Sequence, residues 1–499
     1  MTTMVLVHRF LDDYARNRAN LLFLVLVPIV FVVVAADSMA EAARLLGGAG
    51  GGAPIETITA GWAAGFLAAI AMYFQVRAAK LTDRRLVLSG LPRLTLVTAR
   101  MIAGGLLAAV ACTAALLALA ARNGIQQPGR VVLGTLMFAV VYLAFGALVG
   151  ATVPNAVNGT VLLMFIWIID VFFGPTLSGS DALVTRFLPT HFISLWTVNL
   201  PAGHAGASEL VWSLTWTVTA TATAFVVVLR TSAVGRRWSA ARPGSAGTQL
   251  RTGLRMAWRT WRRTPVLWAL LAVVPTVFIW LSDAITPHGS TPVTLREGGA
   301  PLTEMLDPAH MHAATMAPVA VASLAALAGV FIALDAREAD QRLALAGQRR
   351  WVVLATRLST VFAAAGIATA ASVIVTSTVF DAHQWGVYVA AITLVALTYA
   401  LVGVLLGPLF GRVSGTFMAF LIPFIDLGIG QSPMLQAQPE SWARYLPSYG
   451  PTRMVIDGAL TATFDEAASL VVALAWVTGL TLAVVILFRR EQAATVQAG

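Results

Sequence analysis

Apolar runs of membrane-spanning length recur along the whole chain and are separated by shorter polar segments. A helix needs about 20 apolar residues to cross the hydrocarbon core of a bilayer, which is longer than the apolar run of most soluble core helices. The pattern therefore predicts an all-α polytopic membrane protein with about 12 transmembrane helices. The predicted spans lie near residues 20–37, 58–76, 101–121, 131–150, 159–177 and 211–229, then near 266–283, 314–334, 358–378, 386–406, 415–432 and 468–488.

The composition agrees with this pattern, since 58% of the residues are hydrophobic and only 11% are charged. Soluble proteins contain about 25% charged residues, so the composition excludes a soluble enzyme, a disordered protein and a nucleic-acid-binding protein. Cys112 is the single cysteine and lies inside an apolar run. An intramolecular disulfide is therefore excluded.

The basic residues predict the orientation in the membrane. Most of the 33 Lys and Arg residues fall near the termini and in alternate loops, with dense groups at 77–100, 230–263 and 337–357. Because cytoplasmic loops carry an excess of Lys and Arg, we expect both termini in the cytoplasm. The net charge of +10 then reflects topology and not a nucleic-acid surface.

The two halves of the chain repeat each other. A shift of 247 residues pairs Val7, Leu11 and Tyr14 with Leu254, Trp258 and Trp261. Further along, the shift becomes 257, because the loop at 282–312 is longer than its partner. A register this constant predicts a parallel repeat: six-span membrane modules at 1–230 and 254–499, joined by a cytoplasmic linker at 231–253.

An amphipathic helix precedes the first span of each module. Leu11 and Tyr14 belong to the apolar stripe of the first, and Trp258 and Trp261 to that of the second. Helices of this kind lie in the membrane interface. They would serve either as elbows that transmit force from a cytoplasmic partner or as passive anchors.

A patterned cytoplasmic segment follows the second span of each module. The docking candidates that share the 257-residue shift are Asp83, Arg85, Leu86 and Gly90, paired with Asp340, Arg342, Leu343 and Gly347. The pattern predicts that each segment forms a short helix followed by a glycine turn. It would either dock a motor domain or form a solvated loop that carries topogenic arginines.

Asp170 and Asp426 lie in the fifth span of each module. Carboxylates inside a membrane are costly, which makes both residues candidates for lining a translocation path. Alternatively, each helix ends near its Asp, because Gly or Pro follows soon after, and the carboxylate then lies at the outer interface.

Catalytic and metal sites are not expected in this chain. His310 and His312 lie near Asp307 with a spacing that metal ligands can have, but they fall in a polar outer loop. The glycine run at 47–52 is not followed by the Lys-Ser or Lys-Thr of a phosphate-binding loop. We therefore expect no enzyme activity, and no cofactor bound by this chain.

Together these features resemble the ABC-2 type exporter permeases. The resemblance rests on the interfacial helix, on the proline of the next span (Pro28 or Pro275), and on the D-x-R-L-x-L-x-G segments at 83–90 and 340–347. It implies a multi-pass protein of the bacterial plasma membrane that exports a hydrophobic or amphiphilic cargo such as a drug, a lipid or a natural product. ATP and Mg would be bound by two copies of a separate ATPase subunit.

An ion-gradient-driven secondary transporter is the alternative, since such proteins also combine two six-span halves. Asp83, Arg84 and Arg85 lie where the major facilitator superfamily carries an Asp-Arg motif. However, Leu86, Val87 and Leu88 occupy positions where that motif has Gly and basic residues.

Overall fold

The computed structural model describes most of the chain. The described residues are 2–45, 52–153, 155–178, 183, 185–198, 206–231, 265–286, 288–297, 300–345, 350–432 and 441–497. The chain divides into two compact units, Met1–Trp238 and Ser239–Gly499. Residues 232–264, which include most of the predicted linker as well as Trp258 and Trp261, lie outside the described residues. The exact module boundaries therefore stay a prediction.

All regular elements in the described residues of the first unit are helices. Its elements are α1 (Thr2–Ala15), α2 (Arg18–Val30), a π-helical segment (Phe31–Ala35), α3 (Ala36–Leu45), α4 (Gly52–Leu88), α5 (Arg93–Asn123), α6 (Pro128–Thr152), α7 (Ala156–Phe173), α8 (Pro175–Ser178), a 3-10 turn (Thr185–Phe187), α9 (His191–Thr197) and α10 (Ala207–Thr231). The π-helical segment follows Pro28, whose missing N–H and bulky ring disturb the regular helix.

The second unit adds a β-hairpin to a similar set of helices. Its elements are α11 (Pro265–Ile285), β1 (Thr291–Glu297), β2 (Ala300–Leu306), α12 (Pro308–Leu345), α13 (Arg350–Thr376), α14 (Trp385–Pro423), a π-helical segment (Phe424–Gly430), a 3-10 turn (Ser441–Tyr445), α15 (Tyr449–Leu460) and α16 (Ala467–Gln497). The strands pair antiparallel, with Thr291 opposite Leu306 and Glu297 opposite Ala300. The apolar pattern does not predict this hairpin, although a Gly-Gly pair between two short strands is a typical hairpin turn.

The all-α membrane class is confirmed. Ten helices of the described residues are long and apolar enough to cross a membrane. One of them, Trp385–Gly430, covers two predicted spans, which are separated where Gly411 takes the positive φ of 75°. The remaining predicted span, near 266–283, coincides with α11. The apolar part of this helix, Ala269–Ala284, is shorter than any of the ten helices. Each predicted span thus has a helix, and the chain is a multi-pass membrane protein.

Each unit packs its second and fourth long helices in close contact. In the first unit, Gly146 of α6 lies so near α4 that a Cβ would overlap the carbonyl oxygen of Ala69. In the second unit, Gly403 of α14 lies in the same way against Ala326 of α12. Small residues let membrane helices approach closely. Gly403 and Ala326 lie 257 positions after Gly146 and Ala69, which is the shift found in the sequence.

Candidate functional site

The first candidate site is the turn between α4 and α5, residues 81–94, which we call the α4–α5 turn. Helix α4 continues past its apolar span to Leu88 and ends at Gly90, whose φ is +97°. The N–H of Gly90 donates to the carbonyl of Val87, and the N–H of Leu91 donates to the carbonyl of Leu86. These two bonds form a Schellman motif, which terminates a helix at a left-handed glycine. The predicted glycine turn is present at this position.

The α4–α5 turn presents apolar and basic side chains to its surroundings. Leu81, Leu88 and Leu94 are exposed, and the Leu88 side chain reaches 76% exposure. Arg85 and Gly90 are also exposed, whereas Leu86 is half-buried. Exposed leucines bordered by charged residues are typical of a protein interaction site.

Asp83 is buried, unlike its exposed neighbours in the turn. Its Oδ1 accepts a hydrogen bond of 2.6 Å from Nη2 of Arg100, and Nη1 of Arg100 donates to the carbonyl of Gln75 at 3.0 Å. Arg100 is buried as well. The ion pair fastens the end of α4 to the start of α5, and a role of Asp83 in docking or coupling stays a prediction.

Helix α1 packs against the same arginine. The guanidinium of Arg100 lies 4.2 Å from the centre of the Phe10 ring. Val7 packs with Ala99 and Ala103 of α5, and Leu11 packs at the edge of this cluster. Tyr14 is also buried, and its burial raises the pKa of the phenol well above the ordinary value. We call Phe10, Asp83 and Arg100 the coupling junction, because they join α1, α4 and α5.

The second unit repeats the backbone of this arrangement. Helix α12 is described as far as Leu345 and α13 from Arg350, and these positions lie 257 residues after Leu88 and Arg93. Asp340, Arg342 and Leu343 belong to α12, but their side chains lie outside the described part of the structure. Gly347, Trp258 and Trp261 lie outside the described residues altogether. The docking role of this segment stays a prediction.

The second candidate site surrounds Asp170, which is buried in the first unit. Its Oδ2 accepts hydrogen bonds of 2.6 Å from the hydroxyls of Tyr142 and Thr190. Its Oδ1 accepts a hydrogen bond of 3.2 Å from the backbone N–H of Thr190. Helix α7 ends at Phe173, shortly after Asp170, with Gly174 as its C-cap.

Asp426 has matching partners in the second unit. It accepts a hydrogen bond of 2.5 Å from the hydroxyl of Tyr399, one of 3.0 Å from the backbone N–H of Ser448, and one from the Ser448 hydroxyl. Tyr399 lies 257 residues after Tyr142, and Ser448 lies 258 after Thr190. We call the two sets of residues the carboxylate clusters.

Each carboxylate cluster holds a short helix against the fifth span. Thr190 directly precedes α9, and Ser448 directly precedes α15. Both oxygens of each Asp accept hydrogen bonds from protein groups, which is how buried charges are normally accommodated. This arrangement gives Asp170 and Asp426 a positioning role. That they line a translocation path stays a prediction.

The comparison with protein families finds a match in the first unit. The family model described as ABC-2 family transporter protein matches residues 55–230, from α4 to α10. This part of the chain is an ABC-2 type transporter membrane domain. The match supports a role of this membrane domain in transport. No curated protein matches the chain.

The ABC-2 domain contains most of the first unit's candidate residues. The matched stretch includes Asp83, Arg100, Tyr142, Asp170 and Thr190, whereas α1 precedes it. Sequence reasoning missed Phe10, Tyr142 and Thr190 as partners of the candidate residues. Tyr142 carried one usable signal, because the 257-residue shift pairs it with Tyr399.

Proposed function

We propose that the chain is the membrane subunit of an ATP-driven exporter, with two ABC-2-like modules fused in one chain. A separate ATPase subunit docks on each module and binds ATP and Mg there. The cargo is a hydrophobic or amphiphilic compound such as a drug, a lipid or a natural product. The chain resides in the bacterial plasma membrane with both termini in the cytoplasm, which puts the α4–α5 turn on the cytoplasmic side.

The observation that carries this proposal is the combination of an exposed turn with a buried junction. Leu88 offers an apolar contact at the tip of α4, and Arg84 and Arg85 flank it with positive charge. A few residues behind the tip, Arg100 joins α4 to α5 and α1. A force applied to the tip therefore reaches two membrane helices and the interfacial helix through fully packed groups.

The ATPase supplies the energy that the permease itself lacks. A partner shifts the populations of two permease conformations only if it binds one of them better than the other. Nucleotide on the docked subunit provides this difference, and the turn and the coupling junction transmit it. The parallel positions of α12 and α13 support the same role for the segment at 340–350.

The matched regions of the two units support the fusion of two modules. Both units contain a carboxylate cluster and the matching glycine contact, at nearly the same shift in sequence. A single chain of this kind would supply both halves of the transporter, so one chain would work with two ATPase subunits.

Co-purification from native membranes tests the docking site. We expect the tagged wild-type chain to carry ATP hydrolysis, and the Leu88→Asp variant to lose most of it, because a carboxylate replaces the apolar contact. The matched control is Leu183→Asp, since Leu183 is 73% exposed in the loop after the fifth span of the same unit. This control should keep the wild-type ATP hydrolysis.

Equal ATP hydrolysis in both variants would argue against docking at this turn. The alternative of a secondary transporter predicts no associated ATPase at all. It also predicts transport in membrane vesicles that persists without ATP and collapses when a protonophore removes the proton gradient.

A further inference from the structure

The base of the β-hairpin in the second unit brings together two histidines and one carboxylate. His288 lies before β1, Asp307 follows β2 directly, and His310 lies in the first turn of α12. The ligand atoms of these three residues all lie within 4.8 Å of one another. The pairing of β1 with β2 brings the two ends of the hairpin together and so creates the cluster.

The geometry within the cluster is defined by several contacts. His288 Nδ1 lies 2.8 Å from Oδ2 of Asp307. The other oxygen, Oδ1, accepts a hydrogen bond of 2.9 Å from the N–H of Ala309 and so caps the start of α12. The rings of His288 and His310 meet edge to face with their centres 6.0 Å apart. The start of α12 thus fixes Asp307. The imidazoles of His288 and His310 both lie near its carboxylate.

We propose that His288, Asp307 and His310 form a binding site for a divalent transition metal of the zinc class. Imidazole nitrogens suit zinc and its neighbours, whereas calcium and magnesium prefer sites made of oxygen ligands. Zinc bonds of about 2.0–2.2 Å place tetrahedral ligand atoms about 3.4 Å apart, so the metal needs only a small rotation of exposed side chains. Three protein ligands leave the fourth position for water or another small ligand.

An ion pair between His288 and Asp307 is the simpler explanation, but it involves only two of the three groups. The His310 ring stands beside His288 and near the same carboxylate, so two imidazoles share one Asp307. A metal is coordinated by neutral imidazoles and therefore accommodates all three residues. It would join the two ends of the hairpin to the first turn of α12.

The site borders a cavity of the same unit. This cavity has a volume of about 320 Å³, and Asp307 and His310 belong to its wall. Most of the remaining wall is apolar and includes Met311, Phe380 and Leu460. The metal would therefore hold the base of the hairpin at the edge of an apolar cavity.

Zinc binding to the full-length chain, purified without a polyhistidine tag and treated with a chelator, tests the proposal. We expect one Zn²⁺ per chain by calorimetry. His288→Ala and His310→Ala should each weaken binding by at least about tenfold, because loss of a ligand costs no less than loss of an outer-shell partner. His288→Cys supplies another zinc ligand and should retain much of the affinity.

The matched control is His8→Ala, which removes an exposed histidine from α1 in the other unit and should bind Zn²⁺ like the wild type. Melting temperatures measured in chelator should be the same for all variants, since His288 is exposed. Absence of zinc binding in the wild type would overturn the proposal and leave the ion pair alone. Equal loss in His8→Ala, or no loss in the other alanine variants, would overturn it as well.

Discussion

Arg100 is the residue on which the coupling junction depends. It is buried, and its guanidinium contacts the Asp83 carboxylate, the Gln75 carbonyl and the Phe10 ring. We predict that Arg100→Ala lowers the free energy of unfolding in detergent by about 3–5 kcal/mol, because the Asp83 carboxylate then stays buried without its partner. Denaturant or thermal unfolding of the purified chain measures this loss.

A surface ion pair in the second unit provides the control. Arg412 and Asp335 are 2.5 Å apart, but both side chains are more than two-fifths exposed. Exposed pairs contribute about 0–1 kcal/mol, so Arg412→Ala should change the free energy of unfolding little. Similar losses for the two arginine variants would contradict the structural role assigned to Arg100.

The carboxylate clusters allow a second test on single residues. Tyr142→Phe removes one hydrogen bond to a buried carboxylate and should cost about 1.5–3 kcal/mol of unfolding free energy. Tyr399→Phe should have a similar effect in the second unit. Thermal unfolding of the detergent-solubilised chain measures both.

Tyr14→Phe is the matched control for these variants. Tyr14 is buried too, but its hydroxyl has no hydrogen-bond partner among the described residues. Removing it should leave the stability within about 0.5 kcal/mol of the wild type. If Tyr142→Phe is equally neutral, the hydroxyl does not stabilise the Asp170 carboxylate.

The sequence alone identified the carboxylates that are costly to bury in a membrane, but not the groups that form hydrogen bonds with them. Asp170 and Asp426 stand out because a carboxylate in an apolar span needs compensation. Which groups compensate it depends on how separate helices pack, and Tyr142 and Thr190 lie far from Asp170 along the chain. Asp83 illustrates the same point: the sequence pairs it with Asp340, whereas its burial against Arg100 is a property of the folded unit.

At the scale of elements, periodicity predicted where the helices lie but not how far they extend. The predicted span near 58–76 is part of α4, which runs from Gly52 to Leu88. Hydropathy marks only the part inside the bilayer, while the helix continues until Gly90 ends it. The hairpin at 291–306 is the main element missed, because its short strands lie in a polar loop of a chain dominated by long apolar runs.

The close helix contacts give a prediction for whole elements. Gly146→Ala should lower the unfolding free energy by about 1–3 kcal/mol, because the added methyl forces α6 away from α4. Gly403→Ala should act in the same way on α14 and α12. Gly105→Ala is the control, since a Cβ at this position of α5 meets no atom within 4 Å. Equal effects at Gly105 and Gly146 would show that helix propensity and not packing decides the outcome.

In the whole molecule, a repeated set of structural features occurs together with a match to one transporter family. Each unit carries an extended second helix, a close glycine contact and a buried carboxylate cluster, at nearly constant separation along the chain. The first unit also carries the ABC-2 match. The proposed fusion of two such modules, with energy supplied from outside the chain, gives a role to the part of α4 that extends beyond its apolar span to Leu88.

Cysteine cross-linking at Leu88 tests this account most directly. The native Cys112 is buried and can be replaced by Ala, so that a single Cys at position 88 or, as a control, at 183 reacts with a short bifunctional reagent in native membranes. We predict that Leu88→Cys forms a product with a protein that carries a Gly-x-x-x-x-Gly-Lys-Ser/Thr nucleotide-binding loop, and that Leu183→Cys does not. A chain whose position 88 captures no nucleotide-binding protein, while the membranes still transport, would contradict the account.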